Sequence, residues 1–170
     1  MENLVLIPFE CPGKIYRCPM PFGTFDLGHS TLLEMKQADI NTVVMLIDHD
    51  EDRYHTGRDL AQLYREQGWQ VKHLPIVDFD VPENLKMLRQ MVELVNQLAL
   101  EGKNIAVHCY AGRGRTGMFL ALLARRILGM DGVKAVKWLR QFFPAVETKE
   151  QLRLVVETEL DGDVAGDGMG

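Results

Sequence analysis

The sequence is short of cysteine, of positive charge and of long apolar runs, and each shortage excludes something. No stretch approaches the roughly 18 uninterrupted apolar residues of a spanning helix, so no membrane span is expected. The opening Met1-Glu-Asn-Leu-Val-Leu-Ile-Pro8 lacks a basic flank, and its apolar run is too short for a signal peptide. Only three cysteines are present and none forms a C-x-x-C pair, which leaves no basis for a disulfide framework or a zinc ribbon. That usage fits a reducing compartment, and the expected location is the cytoplasm. Acids outnumber bases 24 to 19, for a formal net charge of −5, so the electrostatic footprint of a nucleic-acid binder is missing. Internal repeats are absent as well.

What is present is the composition of an ordinary globular domain, 46% hydrophobic and 25% charged over 170 residues. Residues 1–160 are expected to form one domain. Residues 161–170, Gly/Asp-rich, read as a disordered tail whose Asp-x-Asp has no calcium loop behind it. Short apolar runs at residues 4–9 and 15–18 read as strands. Residues 42–47 and 105–108 are continuous apolar runs, as in strands covered on both faces, and residues 71–76 alternate before turning apolar. Helical spacing recurs at residues 31–38, 58–67, 83–101, 115–128, 132–143 and 149–160. Asp48-His-Asp-Glu-Asp-Arg-Tyr-His55 matches no metal site and reads as solvated loop charge. Strands alternating with helices predict an α/β fold, a single domain whose central, mostly parallel sheet carries helices on both faces. Loops after the strands' carboxyl ends then share the ligand-binding face, which brings Arg53 within reach of a substrate.

The stretch Ile105-Ala-Val-His-Cys-Tyr-Ala-Gly-Arg-Gly-Arg-Thr-Gly117 joins an expected strand to an expected helix. Its glycines let successive backbone N–H groups turn inward without Cβ clashes. Converging N–H groups at a helix N-terminus form an anion site, which the helix dipole deepens. The planar fork of Arg115 matches two phosphate oxygens. The same field favours the thiolate form of Cys109. The pattern therefore sets a nucleophile at the bottom of a phosphate cradle built from Tyr110, Ala111, Gly112, Arg113, Gly114 and Arg115. Three other readings compete. Gly112-Arg-Gly-Arg-Thr-Gly117 fits the dinucleotide fingerprint, but helical spacing follows where a second strand ending in an acid is required. Walker A needs Gly-Lys-Ser/Thr, and Met118 follows Gly117. A buried, inert cysteine would leave the glycines and both arginines unexplained.

His108-Cys109-x5-Arg115-Thr116 resembles the H-C-x5-R-S/T signature of the cysteine-dependent protein phosphatases. Length and flanking residues look most like the small dual-specificity group with its atypical and kinase-associated members. The resemblance runs over roughly residues 15–160, most of the chain. Pro75-Ile-Val-Asp-Phe-Asp-Val-Pro82 looks like the general-acid loop of these enzymes, and Val146-Glu-Thr-Lys-Glu-Gln151 like a segment following their signature helix. The resemblance implies hydrolysis of a phosphate monoester in two displacements, without metal or cofactor. Cys109 would attack phosphorus while Arg115 and the loop amides hold the equatorial oxygens. An aspartate would protonate the leaving oxygen and then activate water. The implied partner is a phosphorylated protein or peptide, carrying phosphotyrosine and also phosphoserine or phosphothreonine.

Two aspartates compete for the acid role. Asp78 is preferred because it follows its strand directly, whereas Asp80 precedes Pro82-Glu83, where a carboxylate can cap a starting helix. In an extended loop the two would point the same way. Thr116 stands where the family places a hydroxyl on the thiolate, or else it satisfies its own first helical turn. His108 is expected to orient the loop through hydrogen bonds. Arg113 points either to solvent or to a second acidic group on the substrate, which keeps phosphoinositides open as a second substrate class. Glu147 and Gln151 fall where the family positions water, but Thr148-Lys-Glu-Gln151 has capping-box spacing, which accounts for Gln151 and leaves Glu147 as the candidate. A phosphate-binding module without turnover would need no nucleophile, and a sulfurtransferase would use another loop length.

Overall fold

The β-branched run around residue 105 becomes the centre of a five-stranded sheet in the order β1-β2-β5-β3-β4. The strands are β1 (Val5–Ile7), β2 (Lys14–Cys18), β3 (Thr42–Met45), β4 (Gln70–His73) and β5 (Asn104–His108). Every pair is parallel except the β1–β2 hairpin at one edge. The computed structural model describes residues 2–160, so the expectation for the Gly/Asp-rich tail lies outside the described residues.

Successive residues of the inner strands feed two cores, one on each face. Ile15, Val44, Leu46, Ile105, Val107 and Cys109 point to one, while Tyr16, Cys18, Val43, Met45 and Ala106 point to the other. Helices α1 (Thr31–Gln37) and α3 (Leu60–Glu66) close the second core with Met35, Leu60 and Tyr64. Helices α4 (Leu85–Leu100), α5 (Gly114–Leu128), α6 (Gly132–Leu139) and α7 (Lys149–Glu157) close the first. Helix α5 lies beneath its three neighbours and is buried continuously from Gly114 to Ala124. Gly117 permits a close approach, since a Cβ there would stand 2.5 Å from the Val146 nitrogen. Among the described residues no helix is long and apolar enough to cross a membrane.

Helix starts follow local caps. Asp59 accepts from the Gln62 amide at 3.1 Å and opens α3 at Leu60, two residues later than its spacing predicts. Asn84 accepts from the Met87 amide at 2.9 Å and opens α4 at Leu85. The cap assigned above to Asp80 is thereby corrected, because the helix begins farther along and carries its own asparagine. The capping box at Thr148 and Gln151 is formed.

The run at residues 48–55 is also corrected. It contains a further helix, α2 (Glu51–Thr56), rather than a solvated loop. Asp52 is buried and accepts from the Leu60 amide at 2.9 Å, tying α2 to the start of α3. Tertiary bonding thus absorbs acids that composition assigns to solvent.

Candidate active site

The loop between β5 and α5 is held by its carbonyls. Cys109 O accepts from His108 Nδ1 at 2.9 Å and Tyr110 O from the Met20 amide at 2.9 Å. Ala111 O and Gly112 O accept from the Arg17 guanidinium at 2.9 and 3.0 Å. Arg113 O accepts from the Gly117 and Val146 amides at 2.8 and 3.1 Å. Among the described residues, nothing accepts from the amides of residues 111–116. Those donors stand at the N-terminus of α5, where dipole and free N–H groups both favour an anion. Gly112 has φ +73°, and a side chain there would overlap the Cys18 carbonyl and Arg17.

Cys109 is 2% exposed at the root of this loop. His108 leaves the sheet on the opposite face and is fully buried. Its Nδ1 faces a carbonyl and so carries the proton, which makes Nε2 the acceptor for the Tyr64 hydroxyl at 2.8 Å. Burial pushes its pKa down to about 4, so the ring is neutral. Cys18 belongs to the core on that far face, across the sheet from Cys109.

Arg115 is 1% exposed and gripped from three segments. Glu51 of α2 accepts from Nη1 and Nη2 at 2.7 and 2.9 Å, Ile76 O accepts from Nη1 at 2.8 Å, and Asp78 Oδ1 lies 3.1 Å from Nη2. Burial works against the charge, but the Glu51 bond and the nearby Cys109 and Asp78 outweigh it and hold the pKa above the ordinary guanidinium value. Among the described residues Nε keeps no partner and is the free donor of the fork. Sequence reasoning missed Glu51. The usable signal was positional: β3 and β5 are adjacent and parallel, so residues just past their ends meet.

The loop at residues 75–82 turns rather than extends. Phe79 has φ +66°, and the Asp80 amide donates to Val77 O at 3.0 Å. The two aspartates therefore part. Asp78 faces Arg115, whereas the Asp80 carboxylate accepts from the adjacent Val81 amide at 2.8 Å. The Asp80 carbonyl accepts from Gln151 Nε2 at 3.2 Å, joining this loop to α7.

Thr116 is buried, and among the described residues its hydroxyl has no partner, so its own helical turn does not satisfy it. Glu147 and Gln151 both lie over Gly114, where a Cβ would stand 2.5 Å from Glu147 Oε1. Gln151 is fully buried, and its Oε1 accepts from the Glu147 and Thr148 amides at 3.0 and 3.3 Å. Arg113 holds its guanidinium 5.3 Å from the Phe25 ring centroid. Arg53 is not brought in, since Asp59 takes its Nη2 at 3.0 Å. Tyr110 forms one wall, stacked on His55 at 3.9 Å and bonded to Thr24 at 2.8 Å. A cleft of about 380 Å³ between Asp78, Glu51, Tyr54 and His55 opens beside it.

The model of a family described as "Tc-R-P: Polymorphic toxin system, DSP-PTPase phosphatase" matches residues 26–130, a span that includes Glu51, Asp78, Cys109 and Arg115. The chain belongs to this family. Among curated relatives, this DSP-PTPase chain is 32% identical over 88 residues to an uncharacterised protein of Methanocaldococcus jannaschii, covering 50% of this chain and 56% of that one. It is 40% identical over 89 residues to the receptor-type tyrosine-protein phosphatase V of Rattus norvegicus, covering 48% of this chain and 5% of that one. The chain spans about half the length of the first curated relatives it matches. The fold of kinase-associated phosphatase matches at a TM-score of 0.81 and 20% identity, covering 91% of this chain and 92% of that one. Tk-PTP in its active form matches at 0.70 and 26%, covering 84% and 89%.

Proposed function

We propose that this family member hydrolyses phosphate monoesters on phosphoproteins through a cysteinyl-phosphate intermediate, working in the cytoplasm. One observation carries the reading. Five consecutive carbonyls are tied back while the amides of residues 111–116 stay free beside Cys109, an arrangement that fits an anion of phosphate size. In the first step Cys109 Sγ bonds to phosphorus and the ester P–O bond breaks, with Asp78 giving its proton to the departing oxygen. In the second, water attacks phosphorus, Asp78 takes a proton from it, and the P–S bond breaks. Arg115 and the free amides hold the equatorial oxygens throughout. The unpartnered Thr116 hydroxyl is available to the sulfur as it leaves.

Tyr54 and Phe79, 85% and 59% exposed, together with the Tyr110–His55 stack, give the mouth an aromatic rim that suits the ring of phosphotyrosine. A phosphoinositide is the second reading, favoured by Arg113, which no carboxylate engages among the described residues. A panel of phosphotyrosine, phosphoserine and phosphothreonine peptides and phosphoinositides, run with wild type and Cys109→Ser, tests both. The expected result is turnover led by phosphotyrosine and lost by at least about 10³-fold in the serine variant, with vanadate binding retained. Phosphoinositide turnover exceeding that of every peptide would transfer the assignment to the lipid class. Wild type inert on the whole panel would remove the phosphatase reading.

A further inference from the structure

Arg17 lies on β2 opposite Val107 of β5, and its side chain leaves the sheet on the Cys109 face. It is 9% exposed, with Nε on Gly112 O at 3.0 Å, Nη2 on Ala111 O at 2.9 Å and Nη1 on Asn3 O at 3.4 Å. Its guanidinium stands 5.3 Å from the Phe143 ring centroid. Among the described residues no carboxylate pairs with it, and burial pulls its pKa below the ordinary guanidinium value. A buried charge balanced only by carbonyl dipoles is a costly way to fill space, and an apolar side chain of similar volume would fill it more cheaply.

We propose that Arg17 is a positioning residue for the phosphate loop: it fixes the Ala111 and Gly112 carbonyls outward, so that the loop amides converge on the phosphate, and it places a positive charge behind Cys109. This rests on the phosphatase reading of the site. The geometry makes the role specific. Two adjacent carbonyls are held by Nε and Nη2 along one edge of a rigid plane, a task for a guanidinium and not for an ammonium. The other charged or titratable groups around Cys109 are Cys18 of β2, the neutral His108, Arg113 in the loop, and Arg115 with its partners Glu51 and Asp78. Arg115 has both carboxylates on it, so Arg17 is a cation whose charge is not already matched.

The test uses Arg17→Lys and Arg17→Met, with kcat and KM on an aryl phosphate, the vanadate inhibition constant, the rate of Cys109 alkylation by iodoacetamide at pH 6, and thermal unfolding. Both variants are expected to lose about 10-fold or more in kcat/KM and to bind vanadate about 10-fold more weakly, because ordered amides are lost. Alkylation at pH 6 should slow in the methionine variant and stay near wild type in the lysine variant, since only the former removes the charge. Folded variants with wild-type kinetics and vanadate binding would overturn the proposal. So would activity losses that merely track the unfolded fraction, with alkylation and vanadate binding per folded molecule unchanged. An inert wild type whose Cys109 alkylates no faster than Cys11 would instead overturn the phosphatase reading beneath it.

Discussion

A guanidinium that is to grip phosphate has to be held still while leaving a donor free. Arg115 meets both conditions because Glu51 holds Nη1 and Nη2, Asp78 shares Nη2, and Nε keeps no partner among the described residues. Removing Glu51 takes away the more buried of two carboxylates and leaves Arg115 to Asp78 and the Ile76 carbonyl, so Glu51→Ala should cost about 1–3 kcal/mol in a urea titration, less than a fully orphaned charge. Glu51→Gln keeps the shape and should cost less, yet it should lower kcat/KM by roughly 10-fold as the fork loosens. A glutamine variant with full activity would show that the carboxylate charge is not needed there. Cys109 and Arg115 were legible in the sequence because their spacing is a property of one covalent loop. Glu51 was not, because it reaches Arg115 across 64 positions and only folded chain brings them together. Arg17 was hidden for the same reason, inside a strand where an arginine looks like an ordinary edge residue.

At the scale of elements, the loop at residues 75–82 is the segment where sequence reasoning divided. Asp78, the preferred candidate for the acid, stands beside Arg115, but the argument from an extended loop does not hold, because Phe79 turns the chain between the two aspartates. Asp78→Asn should cut the rate on a phenyl-type phosphate by about 10²–10⁴-fold and abolish the basic limb of the pH–rate profile. The loss should be much smaller when the leaving group departs without protonation. Asp80→Asn should keep the limb and change stability by less than about 0.5 kcal/mol, because Asn84 caps α4 and the bond to Gln151 uses the Asp80 backbone. A basic limb lost with Asp80 and kept with Asp78 would reverse the roles. The order and type of the main strands and helices were readable from apolar periodicity. Their ends were not, since caps such as Asn84 and contacts such as Asp52 with Leu60 decide them locally. Helix α2 escaped because its charge pattern is that of a loop until Asp52 and Glu51 are turned inward.

For the molecule as a whole, acid is the expected weakness. His108 folds as a neutral ring with a pKa near 4, against about 6.5 when unfolded, so between those values the unfolded chain binds the extra proton. Stability is thus full above the upper value and falls as pH drops toward the lower, by on the order of 2 kcal/mol by pH 5. Urea midpoints at pH 7 and 5 measure this, and His108→Asn should show a distinctly shallower drop between them. Equal slopes would mean that the ring is not held neutral. The pairing of β2 with β5 bears on how the chain reaches this state. Arg17 and Gly112 are 95 positions apart, so the second strand must wait for the fifth before the loop acquires its backing. Closing so long a span costs entropy before any contact offsets it, which makes this pairing a late event in folding. The cradle would then be absent from the folding transition state. Inorganic phosphate should accordingly slow unfolding in stopped-flow denaturant jumps while leaving the refolding limb of the chevron in place, and acceleration of refolding would instead put the loop in the nucleus.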